Sequence, residues 1–256
     1  MTTWVLLRGL TREVGHWGAF PQLLAKQLLP GARVLAIDLP GNGRLNGETS
    51  PLDIEAMVER CREQLRELAV ETPVHLLAMS LGAMVAVDWA RRHPGELAAC
   101  VLVNTSLRPF SPWYWRLRPA NYGVLLGFLW PGQSRQRREA TILRITSRHP
   151  PPDVDVVAQW VALREARPVS GANALRQLIA ATGYRASADA PTVPLLVVAS
   201  RCDALVDARS SHSLARRWHA DIVEHPTAGH DLALDDGPWL ARTVSDWSTS
   251  RFAYKD

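Results

Sequence analysis

Cysteine is scarce in this chain of 256 residues, which contains only Cys61, Cys100 and Cys202. Three thiols without C-x-x-C or zinc-ligand spacing exclude a disulfide-stapled scaffold and predict no metal site. Unpaired thiols are typical of proteins in a reducing compartment. We therefore expect a cytoplasmic protein.

Long hydrophobic runs are also missing. No apolar stretch reaches the roughly 18 residues that a membrane-spanning helix needs, so we expect no membrane span. The first ten residues, MTTWVLLRGL, lack the basic segment of a signal peptide and favour a strand instead. With 47% apolar and 21% charged residues, the composition is that of a globular protein, and the length suits one large α/β domain, with or without an insertion.

Lysine is nearly absent, because Lys26 and Lys255 are the only lysines among 29 basic residues. The net charge of +4 is uneven: residues 107–190 hold 12 arginines against five acidic residues, which leaves the rest of the chain at about −3. No nucleic-acid-binding motif accompanies these arginines, and apolar segments interrupt them. Nucleic acid is therefore not an expected partner.

Apolar runs alternate with helical patterns along most of the chain. Because the runs are continuous rather than alternating, they predict strands that are buried on both faces of a parallel sheet, with helices on either side. The predicted fold class is α/β. The predicted strands are residues 4–8, 32–38, 74–80, 98–104, 193–200 and 220–226, and the clearest helices are about 53–70, 81–93 and 237–250.

Residues 107–190 break this pattern, since they contain no convincing strand. Residues 108–130 and 153–166 have helical patterns, the second with Asp153 as its expected N-cap. A helical insertion between two parallel strands most simply covers the carboxyl ends of the strands, where open α/β sheets bind ligands. The expected core is residues 1–106 and 191–256, and the expected helical lid is residues 107–190.

A serine stands where one predicted strand turns into a helix, in the segment VHLLAMSLGAMVAVDWA (74–90). Ala-Met-Ser-Leu-Gly at 78–82 is a relaxed form of the G-x-S-x-G nucleophile elbow, in which a sharp turn exposes a serine hydroxyl. Ser80 could simply cap the helix. The strand before it, the helix after it and the small residues Gly82 and Ala83 favour a nucleophile beside the positive end of the helix dipole.

A serine nucleophile needs a base to take its proton. Of the eight histidines, His230 lies in a loop after the last predicted strand and before the final helix, in PTAGHDLALDDGPWL. An acid must then orient the histidine, and Asp203 follows the apolar run PLLVVASRC directly. The rival Asp207 could instead cap the next helix, and Asp231, Asp235 and Asp236 are expected as helix-start or surface carboxylates.

In this order, the motifs resemble the α/β-hydrolase superfamily, and more narrowly its single-domain esterase branch, which includes the pimeloyl-carrier-protein methyl esterases. The resemblance is carried by LLRGLTREVGHWGAF, VLAIDLPGNGRLNGETSP, AMSLGAM, VLVNTS, VPLLVVASRCDALV and AGHDLALDDGPWL, which cover the chain outside the expected lid. It implies the same triad of Ser80, Asp203 and His230. It also implies an oxyanion hole formed by the backbone N–H groups of Leu10 and Leu81.

Two residues depart from the pattern of the family. Arg8 precedes Gly9 where many relatives have histidine, and it could brace the loop through carbonyl groups or bind a substrate carboxylate. Ala78 replaces the first glycine of the elbow, so its methyl group should fit only if the facing helix gives way slightly. Neither change removes a catalytic group, and activity is expected to survive.

The expected lid offers candidates for substrate and partner binding. Trp113 and Trp115 could line a pocket for an acyl chain or aromatic group, or could pack within the lid. A group of arginines could bind an acidic acyl-carrier protein or a substrate acid, or could form an ordinary solvated helix face. These arginines are Arg108, Arg116, Arg118, Arg135, Arg137 and Arg138.

The sequence therefore predicts a serine hydrolase that cleaves a carboxylic ester of a small molecule through an acyl-enzyme, with no metal or organic cofactor. The same triad would also serve a thioesterase, a carbon–carbon bond hydrolase or a perhydrolase. A hydrolase scaffold that only binds a ligand or a carrier protein is the alternative of another class. The acyl group, the leaving alcohol and the oligomeric state are not predicted.

Overall fold

A parallel sheet of six strands organises the protein in a computed structural model, which describes residues 2–127 and 132–252. The strand order is β2-β1-β3-β4-β5-β6, and each neighbouring pair in this order is parallel. The predicted α/β class is thereby confirmed. The strands are β1 Thr3–Leu7, β2 Arg33–Ile37, β3 Val74–Met79, β4 Leu97–Val103, β5 Leu195–Ser200 and β6 Asp221–His225.

Both faces of the central strands are buried, as their continuous apolar sequences predict. In β3, Leu76 and Ala78 belong to the core on one face of the sheet, and Leu77 and Met79 belong to the core on the other. Successive side chains of a strand point to opposite faces, so an apolar residue is needed at each position that is buried on either face. This two-sided burial fixes the strand ends that carry the candidate site.

Helices cover the two faces of the sheet. On one face lie α2, α3 and α9, and on the other lie α1 and α11. These helices, with the short α10, are α1 Phe20–Gln27, α2 Ile54–Glu67, α3 Leu81–Arg92, α9 Arg209–Trp218, α10 Leu232–Asp235 and α11 Gly237–Phe252. Among the residues that the structure describes, no helix is long and apolar enough to cross a membrane.

Helices also account for the regular structure described between β4 and β5, where the lid is expected. The predicted helix at 108–130 is wrong: α4 and α5 are separate short helices, because Pro112 and Pro119 begin new turns and cannot donate to a continuous ladder. Residues 128–130 of that prediction lie outside the described ranges. The helices are α4 Trp113–Arg116, α5 Tyr122–Gly127, α6 Arg135–Thr146, α7 Val156–Ala166 and α8 Gly171–Gly183.

The N-cap of α7 also differs from the prediction. Asp155, not Asp153, accepts a hydrogen bond from the N–H of Ala158 at 2.9 Å. An N-cap side chain satisfies a backbone donor of the first helical turn, and only Asp155 stands immediately before Val156, the first helical residue.

The order of the strands places a topological switch point between β1 and β3. From β1 the chain passes to β2 at one edge of the sheet, and from β3 it proceeds through β4 towards the other edge. In sheets of this kind, ligands bind in the crevice outside the carboxyl ends of the two central strands. Gly9 and Leu10 follow β1, and Ser80 follows β3, so the predicted site residues lie at this crevice.

Candidate active site

Ser80 occupies a strained backbone conformation at the turn between β3 and α3. Its φ of 53° and ψ of −115° lie in a region that residues with a side chain rarely adopt. The neighbouring strand end supports this turn, since the N–H of Ser80 donates to the carbonyl of Val103 at 3.0 Å and the Thr105 hydroxyl donates to the Ser80 carbonyl at 3.0 Å. Ser80 is partly exposed, whereas Met79 and Leu81 on either side are buried.

The loop after β1 packs directly against this turn. A Cβ added to Gly82 would lie 2.6 Å from the carbonyl oxygen of Arg8, and one added to Gly9 would lie 3.1 Å from the Cβ of Ser80. Glycine at these two positions is what permits the close approach. The structure therefore places the loop of Leu10 beside Ser80, with Leu81 at the first position of α3. Ala78 is fully buried within β3.

A buried carboxylate holds the candidate base. The ring nitrogen Nδ1 of His230 donates to Oδ2 of Asp203 at 2.7 Å, and the side chains are only 9% and 2% exposed. The other oxygen, Oδ1, accepts from the N–H groups of Leu205 at 2.7 Å and Val206 at 2.9 Å. Because Nδ1 is occupied by the carboxylate, Nε2 of the neutral ring is left as the proton acceptor.

The surroundings of His230 raise its pKa above the ordinary value of 6.5. Burial alone lowers this pKa, because it disfavours the charged ring. The charge of Asp203 and its hydrogen bond outweigh burial, and the charge of Asp231 adds to them, while Arg8 acts in the opposite direction. The site therefore favours the imidazolium that forms when His230 accepts a proton.

Asn104, which the sequence analysis did not single out, ties the loop of His230 to the sheet. Its amide nitrogen donates to the His230 carbonyl at 2.8 Å and to the Ser200 hydroxyl at 2.9 Å, and its amide oxygen accepts from the Ser200 N–H at 2.8 Å. Asn104 is 3% exposed and has a positive φ of 47°. A polar residue directly after the apolar run AACVLV was the available signal.

Gln177 of α8 was also missed, and it supports the loop after β1. Its amide oxygen accepts from the N–H of Thr11 at 2.9 Å, and its amide nitrogen donates to Asn42 Oδ1 at 2.7 Å. Gln177 is fully buried. Helix α8 thus contacts the loop that carries Leu10.

The other carboxylates considered for the acid have different partners. Asp207 pairs with the guanidinium of Arg209 at 2.7 Å, and Asp236 accepts from the N–H of Trp239 at the start of α11. Asp235 accepts backbone hydrogen bonds from Arg148 at 2.8 Å and Gly229 at 2.7 Å. Asp231 is the N-cap residue of α10, so it stands at a helix start as expected, but its side chain caps no N–H of that helix and is buried, at 3% exposed, rather than on the surface.

Arg8 is the partner of Asp231. Its two terminal nitrogens lie 3.0 and 2.6 Å from the two carboxylate oxygens of Asp231, and Arg8 is 4% exposed. Of the two roles considered for Arg8, this arrangement favours bracing, although the group that it binds is a carboxylate rather than a carbonyl.

The two tryptophans proposed to contact substrate both lie in α4. Trp113 is 65% exposed and stacks on Tyr122 with 6.2 Å between the ring centroids. Trp115 is half-buried, and the guanidinium of Arg209 lies 4.6 Å from the centre of its ring. Trp113 thus contacts α5, and Trp115 contacts the start of α9.

Several other histidines have partners of their own. His212 lies 2.7 Å from Glu224, His93 lies 2.9 Å from Glu59, and His75 stacks on Trp4. Within residues 2–127 and 132–252, no group of three or more His, Cys, Asp or Glu side chains is arranged to hold a metal ion.

Known proteins match the sequence over most of its length. The model of the alpha/beta hydrolase family matches residues 4–243. The pimeloyl-[acyl-carrier protein] methyl ester esterase of Aeromonas salmonicida is 30% identical over 242 residues, which are 87% of this chain and 90% of that protein. The protein of the same name from Aromatoleum aromaticum is 29% identical over 234 residues, 82% of this chain and 90% of that protein.

Solved structures share the fold at lower identity. A serine hydrolase of Cycloclasticus zankles superposes with a TM-score of 0.79 at 18% identity, covering 100% of this chain and 92% of that one. A thermophilic esterase of Thermogutta terrifontis superposes with a TM-score of 0.73 at 19% identity, covering 98% of this chain and 90% of that one. Since the family model spans nearly the whole sequence and the sheet and its helices recur in these structures, the chain belongs to the alpha/beta hydrolase family.

Proposed function

We propose that the protein hydrolyses a carboxylic ester with Ser80 as nucleophile, His230 as general base and Asp203 as the acid that orients it. The observation that carries this proposal is the buried 2.7 Å hydrogen bond between Asp203 and His230, and the strained, partly exposed Ser80 at the start of α3 supports it. A buried acid–histidine pair beside such a serine is the arrangement that activates a hydroxyl.

The reaction proceeds in two balanced halves. Ser80 Oγ attacks the ester carbonyl carbon while His230 Nε2 takes the hydroxyl proton, and the carbonyl oxygen becomes an oxyanion. The carbon–oxygen bond to the alcohol then breaks, and His230 returns the proton to the leaving oxygen. Water, deprotonated by His230, cleaves the acyl-enzyme and releases the carboxylic acid and Ser80. The N–H groups of Leu10 and Leu81 are proposed to bind the oxyanion, each worth about 10²–10³ in kcat.

Labelling with a fluorophosphonate tests the nucleophile. Intact-mass spectrometry should show one adduct on the wild-type protein and none on Ser80→Ala. Turnover of an ester panel of varied chain length then tests the base: His230→Gln should abolish it. His212→Gln is the matched control, because His212 also bonds a carboxylate at 2.7 Å but on the half-exposed surface of α9.

Each result has a distinct meaning. An adduct together with ester turnover supports the proposal. An adduct without ester turnover would overturn the ester assignment in favour of a thioester or carbon–carbon bond substrate. A folded protein that forms no adduct would overturn the enzyme assignment, and the binding-scaffold alternative would replace it.

We also propose that the acyl group is presented by an acidic carrier protein. The named relatives are esterases of a methyl ester on an acyl-carrier protein, and α6 offers a basic surface. Arg137, Arg144 and Arg148 are exposed, and their spacing of seven and four residues places them along one side of the helix and its end. Arg135 is exposed as well but pairs with Glu165 at 3.3 Å.

The other arginines of the predicted group have internal partners. Arg116 donates to the carbonyl of Ala181 at 2.6 Å, Arg108 donates to the carbonyl of Thr182 at 3.3 Å, and Arg118 lies 3.5 Å from Asp207. The bonds of Arg116 and Arg108 lie within residues 107–190, and that of Arg118 joins this segment to the loop before α9. The carrier surface is therefore proposed for the exposed arginines of α6 and its end.

Charge reversal tests the carrier surface. Arg137→Glu with Arg144→Glu should reduce kcat/KM for a carrier-bound acyl ester and leave kcat/KM for the matching free methyl ester unchanged. Arg216→Glu with Arg217→Glu, on an exposed part of α9, is the control for net charge. An equal loss on both substrates, or an equal effect of the control, would contradict the proposed surface.

A further inference from the structure

A buried ion pair joins the two loops that carry the proposed oxyanion donor and the proposed base. Arg8 immediately precedes Gly9 and Leu10, and Asp231 immediately follows His230. Their side chains are each 5% exposed, and both terminal nitrogens of Arg8 bond the carboxylate, at 2.6 and 3.0 Å. Such a two-point contact fixes orientation as well as distance.

Side chains and a backbone carbonyl from other elements contact this buried pair. The guanidinium of Arg8 lies 4.8 Å from the centre of the Trp17 ring, and its nitrogen Nη1 lies 3.3 Å from the sulfur of Met79, the residue before Ser80. On the other side, the N–H of Asp231 donates to the carbonyl of Thr146 at 2.7 Å, at the end of α6. The ion pair thus touches the nucleophile turn and the insertion as well as both loops.

We propose that Arg8 and Asp231 are positioning residues, which hold the loop of Leu10 and the ring of His230 in register and balance the charge beside that ring. This inference rests on the proposed function, because it assigns these two residues to the reaction of Ser80 and His230. It also explains the departure from the family pattern, since the arginine that replaces histidine before Gly9 has a matching carboxylate after the catalytic histidine.

Charges from three loops act on His230. Asp203 follows β5, Asp231 is its chain neighbour, and Arg8 follows β1; the two carboxylates favour the imidazolium, and Arg8 opposes it. Arg12, on the same loop as Arg8, acts on Asp231 in turn. On the insertion, the side chain of Arg148 donates to the Cys202 carbonyl at 3.2 Å rather than to this group. While the ion pair is intact, Arg8 opposes the larger effect of Asp231 at the ring.

Two kinds of variant separate charge from geometry. Asp231→Asn removes one charge and leaves Arg8 unbalanced, so the pKa of His230 should fall by about one unit. Arg8→Met combined with Asp231→Asn removes both charges, so the pKa of His230 should return towards the wild-type value. Arg8→Lys keeps the charge but cannot form the two-point contact, so it should leave that pKa near wild type while kcat falls.

NMR titration of histidine labelled with ¹³C and ¹⁵N measures this pKa directly, with His230 assigned from the His230→Gln variant. Titrations in the Ser80→Ala background need no turnover, so this arm stands even if the ester assignment fails. In the active background, Arg8→Lys and the double variant should lose about 10–100-fold in kcat through displaced groups, with little change in KM for a small ester. Fluorophosphonate labelling of the wild type separately tests the proposed function.

Asp88→Asn is the matched control. Asp88 is also a buried carboxylate paired with an arginine, Arg92, at 2.7 Å, but it lies eight residues along α3 from Ser80, about 12 Å away. It should leave the pKa of His230 unchanged. If Asp231→Asn is too unstable to titrate, the double variant, which buries no unpaired charge, decides alone. An unshifted pKa in Asp231→Asn, or wild-type kcat in the double variant, would overturn the inference.

Discussion

The protonation of one ring, His230, governs the pH range in which the proposed reaction runs. Burial lowers its pKa, but the Asp203 charge and hydrogen bond raise it above 6.5. Only the neutral ring accepts the serine proton, so kcat/KM should decline with falling pH, with a midpoint above 6.5. In Asp203→Asn, burial prevails: the midpoint should move to lower pH, and kcat should fall by about 10⁴ because an amide favours the wrong ring tautomer.

Asp207→Asn provides the control for this pH profile. Asp207 lies four residues after Asp203 but pairs with Arg209 and Arg118 instead of a histidine. Its replacement should leave the midpoint in place. The assignment of the acid would fail if Asp203→Asn kept the wild-type profile, or if Asp207→Asn shifted it.

Gly82 illustrates a residue that is required for space rather than chemistry. The Cβ of an alanine at this position would lie 2.6 Å from the Arg8 carbonyl oxygen and 2.8 Å from that of Leu7. Because both are backbone atoms, α3 or the loop after β1 must move. We expect Gly82→Ala to lower the free energy of unfolding by about 1–3 kcal/mol and to reduce kcat. Urea denaturation and single-turnover kinetics measure the two effects.

Gly183→Ala is the companion variant. A Cβ at Gly183, in the last turn of α8, would meet no atom within 4 Å, and alanine favours a helix, so stability should be unchanged or slightly raised. If both alanines had the same effect on unfolding, close packing of α3 on β1 would not explain the glycine at position 82.

Local sequence patterns predicted the positions of the three residues proposed as the triad. Ser80 stands at a strand–helix turn, Asp203 at a strand end and His230 in a late loop, and each of these can be read from neighbouring residues. The pairing of Arg8 with Asp231 could not be predicted from neighbouring residues, because 223 residues separate the two. Each charged side chain, taken alone, is compatible with an exposed position. The energy of this ion pair depends on how deeply it is buried, and burial is defined only in the folded chain.

A buried charge cluster joins α6, α7 and the loop after β1. Glu139 of α6 is fully buried and bonds Arg164 of α7 and, at 2.8 Å, Arg12 of the loop after β1. Glu139→Gln would leave two arginines without a full counter-charge, and removal of one partner of a buried pair costs about 3–5 kcal/mol. We expect urea denaturation to show a decrease of that size in the free energy of unfolding. Proteolysis between α5 and α7 should also become faster.

Glu165→Gln separates burial from charge in this experiment. Glu165 lies on α7 and pairs with Arg135 at 3.3 Å, but both side chains are more than half exposed. Its replacement should change the free energy of unfolding by less than about 0.5 kcal/mol. Equal losses from Glu139→Gln and Glu165→Gln would show that the buried cluster does not fasten the insertion.

At the scale of elements, prediction succeeded where one physical rule dominates. Strands buried on both faces must be apolar throughout, and each predicted strand, such as 98–104 for Leu97–Val103, overlaps the observed one. The prediction of burial on both faces is wrong for the edge strands β2 and β6, which are partly exposed because each has a neighbouring strand on one side only. The helices within residues 107–190 were harder to predict. The first half of α6, RQRREA, carries no apolar stripe, because Glu139 is buried there as a charged group; a pattern of hydrophobic residues cannot reveal such a helix.

The whole molecule has an uneven charge, which bears on the proposed carrier. Residues 107–190 carry 12 arginines against five acidic residues, whereas the remainder of the chain is net negative. An acidic partner should therefore approach the insertion preferentially, and the field of exposed charges accelerates such encounters at low salt. The Debye length falls from about 10 Å at 0.1 M salt to about 3 Å at 1 M, so added salt should suppress this steering.

We expect kcat/KM for a carrier-bound acyl ester to fall by about tenfold between low and high salt, while kcat/KM for the free methyl ester stays nearly constant. Stopped-flow or initial-rate measurements over a sodium chloride series test this difference.

The Arg137→Glu, Arg144→Glu variant should have a lower kcat/KM for the carrier-bound ester at low salt and a shallower dependence of kcat/KM on salt. The Arg216→Glu, Arg217→Glu control should keep the wild-type slope. Because both variants carry the same net charge, equal slopes would mean that overall charge rather than the surface of α6 steers the carrier. Parallel salt dependence for the free and carrier-bound substrates would place the salt effect on catalysis itself.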